Sequence, residues 1–347
     1  MARTPVGAFI SGCSGYALSD AETAFFTKAN PWGLILFKRN CESPSQIRAL
    51  TSAFRAAVGR KDAPVLIDQE GGRVQRMGPP VPEWRKYPAA EDYGRLYQSC
   101  PLHALRATRL VARLMAADLE AAGITVNCAP VLDLPREDTT PAIASRTFHA
   151  RPEAALSLAR AYMDGLMDGG VLPVIKHIPG HGRAVVDSHY DLPVIKATRS
   201  ELEAHDFQPF AGLSACPMAM TAHVVLEAID ADHPATQSKR VVRDVIRKQL
   251  GYGGLLMTDD LSMKALSGTM TEKVQASLDA GVDMVLHCNG VLAEMEEVAA
   301  AAGPLKGKAL ARAKAALRAR RKPLPYDEKV ALRDLEAVLK AGVKTTA

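Results

Sequence analysis

Residues 172–193 read LPVIKHIPGHGRAVVDSHYDLP, and the two ends of that stretch follow different rules. The segment 172–176 is a short apolar run carrying β-branched Val174 and Ile175, as a buried strand requires. The segment that leaves it is dense in titratable side chains, and Gly180 and Gly182 open backbone geometries closed to other residues. Comparable apolar runs occupy 6–10, 33–37, 64–67, 124–128, 217–221, 254–258 and 283–287. Between them lie longer segments of helical period. In the segment 102–123, for example, Ala107, Leu110, Val111, Leu114 and Met115 repeat at the spacing of one buried helix face. Strands alternating with helices imply a parallel sheet, and eight strands is the number that closes such a sheet into a TIM-type (β/α)8 barrel. Ser43-Pro44 reads as a capped helix start, and Gly123 and Gly251 as helix stops.

The bulk properties agree with one α/β catalytic unit. The 347 residues are 48% hydrophobic and 23% charged with a net charge of +5, which suits a soluble globular chain and gives no field strong enough to commit it to nucleic acid or a membrane surface. The barrel is expected over residues 1–305 as a single domain. A C-terminal helical extension follows over 306–347, with an Ala-rich basic stretch at 306–322 and a last helix at about 330–341. Six cysteines stand singly with no CxxC pair, as in a reducing cytoplasm. Ile10-Ser11-Gly12-Cys13 has the outline of a lipoprotein cleavage site, but Pro5 and Gly7 interrupt the apolar run before it, and cleavage would remove the first strand. The segment after the third strand is long and carries Pro79, Pro80, Pro82, Trp84 and Pro88; it reads either as a wall of a pocket or as a packed surface flap.

Catalytic groups of such barrels sit at the carboxyl ends of the strands. Polar residues concentrate there: Asp68-Gln69-Glu70 through Arg76, then Asp133 and Arg146, Lys176-His177, His223, Asp259-Asp260, and His287-Cys288-Asn289. The densest group, Lys176 to Asp191, admits three readings. It is a structural loop with satisfied histidines, a divalent-metal site, or an acid/base apparatus. No HExxH or facial-triad spacing favours metal. For acid/base work, Asp187 is close enough in sequence to hydrogen-bond His189 and fix its tautomer. Asp259 directly follows an apolar strand and so projects into the barrel mouth, with Asp260 the expected cap of a following helix. A carboxylate on one strand end and a proton donor on a loop have the logic of a retaining glycosidase, with His189 in place of the usual second carboxylate. Asp68, Arg76, Arg146, Lys176 and His177 would then hydrogen-bond sugar hydroxyls or an amide. Lys176 as a Schiff-base amine, and a non-catalytic sugar-binding barrel, are the rival readings.

LIDQEGGRVQRM, KHIPGHG followed by DSHYDLP, TAHV and TDDLSMKA, in this order, resemble the bacterial β-N-acetylglucosaminidases (β-hexosaminidases) of glycoside hydrolase family 3, in their single-domain Gram-negative form. The resemblance covers nearly the whole barrel. It implies a cytoplasmic enzyme of peptidoglycan recycling that removes non-reducing N-acetylglucosamine from 1,6-anhydro-N-acetylmuramic acid, with or without peptide. It further implies Asp259 as nucleophile, His189 as acid/base, Asp187 as its partner, and Asp68, Arg76, Arg146, Lys176 and His177 as sugar contacts. No metal or organic cofactor is implied, and the partner is a small muropeptide or disaccharide, met by a monomer. Two departures stand out: Ile178 where an aromatic residue is common, and ASRTF around Arg146 in place of the more usual glycine and serine.

Overall fold

A computed structural model describes residues 4–344. Eight parallel strands close into a barrel: β1 (Gly7–Ser11), β2 (Pro31–Leu36), β3 (Val65–Ile67), β4 (Val126–Asn127), β5 (Leu172–Ile178), β6 (Met218–Thr221), β7 (Leu255–Asp260) and β8 (Met284–His287). Their order around the barrel is their order in the chain, and β8 returns to pair with β1 through Ile10 and Leu286. Each strand falls on one of the apolar runs. The shortest, β4, pairs beyond its nominal ends, because Thr125 N–H donates to Val65 and Cys128 N–H to Ile67.

The alternation of side chains along the strands builds two cores. Ala8, Ile10, Ile35, Leu66, Val126, Val174, Met220, Met257 and Leu286 fill the barrel interior, while Phe9, Leu34, Ile67, Ile175, Ala219, Leu256 and Val285 face outward beneath the helices. Among these helices, Pro101–Ala121 and Pro152–Asp168 pack side by side. The predicted punctuation is in place: Ser43 Oγ accepts from Gln46 N–H ahead of helix Pro44–Ala57, and Gly123 and Gly251 take positive φ. Cys13 is buried within this core.

The basic stretch keeps its charges in solvent, Arg312 apart, and buries some of its alanines. Helix Gly307–Ala319 lies across the amino end of the barrel, where Ala313 and Ala316 join the interior core. Its Arg312 donates to Asp283 at 2.8 Å, and the same carboxylate accepts from Arg247 at 2.7 Å and from Leu256 N–H. The last helix, Glu328–Lys344, packs on Pro101–Ala121, and Arg106 pairs with Asp334 at 2.6 Å.

Two expectations are corrected. Asp260 caps no helix: β7 runs through it, and its carboxylate instead accepts from Ser262 N–H and the Cys288 N–H, tying β7 to β8. The next helix, Met270–Ala280, is capped by Thr269. The proline-rich segment after β3 divides in function. Its first part forms a hairpin of Gln69–Gly71 with Val74–Gln75 that reaches the barrel mouth, whereas the stretch 79–88 packs inward through Trp84 and Tyr87 and bounds a separate small hollow.

Candidate active site

The carboxyl end of the barrel opens into a cavity of about 370 Å³. Asp68, Arg76, Arg146, Lys176, His177, Asp187, His189 and Asp259 all line it, so the structure gathers every candidate from five separate segments around one space. Two roomier hollows, of about 740 and 1080 Å³, lie elsewhere on the barrel and have no histidine in their walls.

One wall is an ionic lattice. Lys176, 2% exposed, projects from β5 with Nζ at 2.7 Å from both Asp68 Oδ1 and Glu70 Oε1. Arg146 reaches the same Glu70 through two hydrogen bonds of 2.8 and 2.9 Å, and Arg76 donates to Asp68 at 3.1 Å. Burial alone would raise the Asp68 carboxyl and lower the Lys176 amine, but the mutual charges win and push each the other way, Asp68 well down and Lys176 up. Pairing with two carboxylates at 2.7 Å favours the protonated amine, which is no nucleophile, and so argues against the Schiff-base reading of Lys176. What the lattice offers is fixed donors and acceptors for a polar ligand.

Asp259 sits where β7 meets the cavity. Burial pushes its carboxyl up, but the facing His177 and His223 and the Asp260 N–H, at 2.8 Å, outweigh this and hold it below its ordinary value. It is therefore an anion at neutral pH. His177 Nε2 stands 3.9 Å from Asp259, while its Nδ1 lies 2.6 Å from the buried Asp133 carboxylate, which orients the ring.

Opposite, the loop after β5 presents Asp187 and His189. Asp187 Oδ1 accepts from the His189 backbone N–H at 3.0 Å and lies 2.7 Å from Nδ1 of its ring, and both residues line the cavity. Partial burial pushes the Asp187 carboxyl up, but the two bonds from His189 and the charge of its ring together outweigh this and hold it below its ordinary pKa. The His189 side chain is 60% exposed, as a proton carrier that must exchange with solvent can be.

Residues 10–321 match the model of the glycosyl hydrolase family 3 N terminal domain. The chain belongs to glycoside hydrolase family 3. A β-hexosaminidase of Alkalilimnicola ehrlichii is 41% identical over 288 residues, covering 82% of this chain and 81% of that one. The structure of NagZ from Neisseria gonorrhoeae in complex with N-trifluoroacetyl-D-glucosamine superimposes with a TM-score of 0.87 at 30% identity, over 97% of this chain and 99% of that one. A family 3 β-N-acetylglucosaminidase from a Paenibacillus species gives 0.83 at 27% identity, over 95% and 66%. This family 3 member is a glycoside hydrolase of the β-hexosaminidase group. No helix among its described residues is long and apolar enough to cross a membrane.

Three residues of the site escaped assignment from sequence. Glu70, Asp133 and His181 were visible as strand-end polar groups, but nothing in their spacing tells that Glu70 bridges Lys176 and Arg146, or that Asp133 serves both His177 and His181. Those links join segments far apart in the chain.

Proposed function

We propose that this family 3 member is a retaining exo-β-N-acetylhexosaminidase. Asp259 attacks the anomeric carbon, protonated His189 donates from Nε2 to the departing oxygen, and the neutral imidazole then draws a proton from water as the glycosyl–Asp259 ester is hydrolysed. The observation that carries this reading is that an ionised Asp259 and the Asp187-oriented His189 line the same cavity. Asp68, Arg76, Arg146, Lys176 and His177 hold the terminal sugar. The preferred substrate is N-acetylglucosaminyl-1,6-anhydro-N-acetylmuramic acid, with or without its peptide, cleaved by a cytoplasmic monomer during peptidoglycan recycling. The N-acylated glucosamine bound by the gonococcal neighbour supports an acetamido sugar over plain glucose.

The direct test is trapping with a slow 5-fluoro-N-acetylglucosaminyl fluoride followed by peptide mapping. Label is expected on Asp259; label elsewhere overturns the mechanism. Release of p-nitrophenol from N-acetylglucosaminide and glucoside derivatives, measured side by side, separates this reading from a plain β-glucosidase and from a sugar-binding barrel without turnover. A faster glucoside would overturn the first distinction, and binding without release the second.

Asp187→Ala removes the acceptor that fixes the His189 ring and none of the core. General acid/base help is worth roughly 10²–10⁴ in rate, and the variant should lose a large part of it. The expected result is a fall in kcat of about a hundredfold or more with unchanged thermal unfolding. An unaltered kcat would take Asp187 out of the reaction.

A further inference from the structure

His181 lines the cavity, and the mechanism has no use for its imidazole. It is fully buried, its ring stands edge-on to His177 with centroids 5.6 Å apart, and its backbone N–H donates to Asp133 Oδ1 at 2.6 Å. Asp133 is the carboxylate that orients His177 toward Asp259. On its other edge, His181 Nε2 lies 3.1 Å from Ser188 Oγ.

Ser188 is the residue between Asp187 and His189. The turn around it is open: Val185 is 58% exposed and Tyr190 74%. Ser188 itself is 5% exposed, held by the His181 ring and by the Ala265 N–H, which donates to its carbonyl at 3.3 Å. A side chain pinned between two outward-pointing neighbours fixes the directions in which they leave the backbone, because successive side chains in a turn are locked to one set of φ and ψ.

We infer that His181 is a positioning residue for the acid/base turn, holding the Asp187–His189 pair in register with Asp259 through its hydrogen bond to Ser188 and its attachment to Asp133. The inference rests on the proposed role of His189. The ring is neutral in this position, since burial, with His177 beside it, pushes it down to about 4, so the link to Ser188 is a plain hydrogen bond and does not switch off across the neutral range. One ring nitrogen is bonded to Ser188 and the other, Nδ1, is buried without a partner, so the bond to Ser188 is the one polar contact that sets the orientation of the ring.

The consequence is specific to proton transfer. A misplaced His189 slows departure of a leaving group that needs protonation and spares one that does not. Phenyl and 2,4-dinitrophenyl N-acetylglucosaminides share a sugar and differ in that need, and kcat/KM reports the first, bond-breaking step for both. Ser188→Ala deletes the hydroxyl and leaves the buried ring in place. It should lower kcat/KM on the phenyl glycoside about tenfold or more and on the dinitrophenyl glycoside less than about threefold. His181→Gln, which keeps a hydrogen-bonding group near the Nε2 position, should recover part of the loss seen in His181→Ala.

His189→Ala serves as the reference and should show the same discrimination, only larger. If Ser188→Ala loses both substrates equally, or neither, while His189→Ala discriminates, the positioning role is overturned alone. If His189→Ala itself shows no discrimination, the acid/base assignment falls and this inference with it. Should His181→Ala not fold, the Ser188→Ala comparison decides by itself.

Discussion

Asp259→Asn should abolish turnover, lowering kcat on p-nitrophenyl N-acetylglucosaminide by a factor on the order of 10⁴ or more, as removal of a covalent nucleophile does elsewhere. The carboxamide is nearly isosteric, and Asp260 N–H can still donate to its oxygen, so the fold and the ionic wall around Lys176 should persist. Thermal unfolding close to that of the parent is therefore part of the expected result. The pH profile adds a second check. Because the folded-state pKa of Asp259 lies below its ordinary value, the proposed nucleophile is ionised at neutral pH and loses its charge only as pH falls below the usual carboxylate range. The acidic limb of kcat/KM in the parent enzyme should consequently fall below that range. A parent enzyme that loses kcat/KM near pH 6 through a nucleophile titration would contradict it, as would an Asn variant that keeps more than about a hundredth of the activity.

The barrel was legible because β-branched and apolar runs such as 172–176 and 254–258 must be buried from both sides, as in a parallel sheet, and eight of them is the number that closes such a sheet. Pattern resolved the existence of each strand better than its end. Asp259 and Asp260 carry charged side chains, so composition ends β7 at Thr258, yet the backbone continues as strand because Leu261 N–H bonds to Leu286 and Asp260 bonds to the Cys288 N–H. Tertiary hydrogen bonds overrode the local signal there. The eight candidate residues share one cavity because strand ends converge in a barrel, a consequence of fold that sequence already contains. What sequence did not contain is pairing across segments: Glu70 against Arg146, and Asp133 against His177 and His181, are set by the packing of distant loops.

Lys176→Met tests that pairing most severely, since it removes the cation at the centre of the lattice and leaves Asp68 and Glu70 buried with one arginine each. Breaking a buried ion pair costs roughly 3–5 kcal/mol, and the remaining Arg76 and Arg146 contacts place the expectation at about 3 kcal/mol. The pH dependence follows from the directions of the shifts. The Lys176 amine is raised in the folded state, so its contribution is complete below its ordinary value of 10.5 and lost only as pH rises through the folded value. The Asp68 carboxyl is lowered, so its contribution is complete above 3.8 and lost as pH falls toward the folded value. The destabilisation should thus be nearly constant from about pH 5 to 9 and shrink in acid, where the carboxylates that have lost the amine become protonated. Activity should suffer separately, with kcat/KM down by roughly 10² or more, because a site built to bond hydroxyls loses a charged donor. Adding Glu70→Gln to the variant should restore neither stability nor activity, because it leaves the buried Arg146 without its carboxylate partner. A Lys176→Met enzyme that melts with the parent, or a double variant that regains turnover, would show that the lattice neither supports the fold nor holds the sugar.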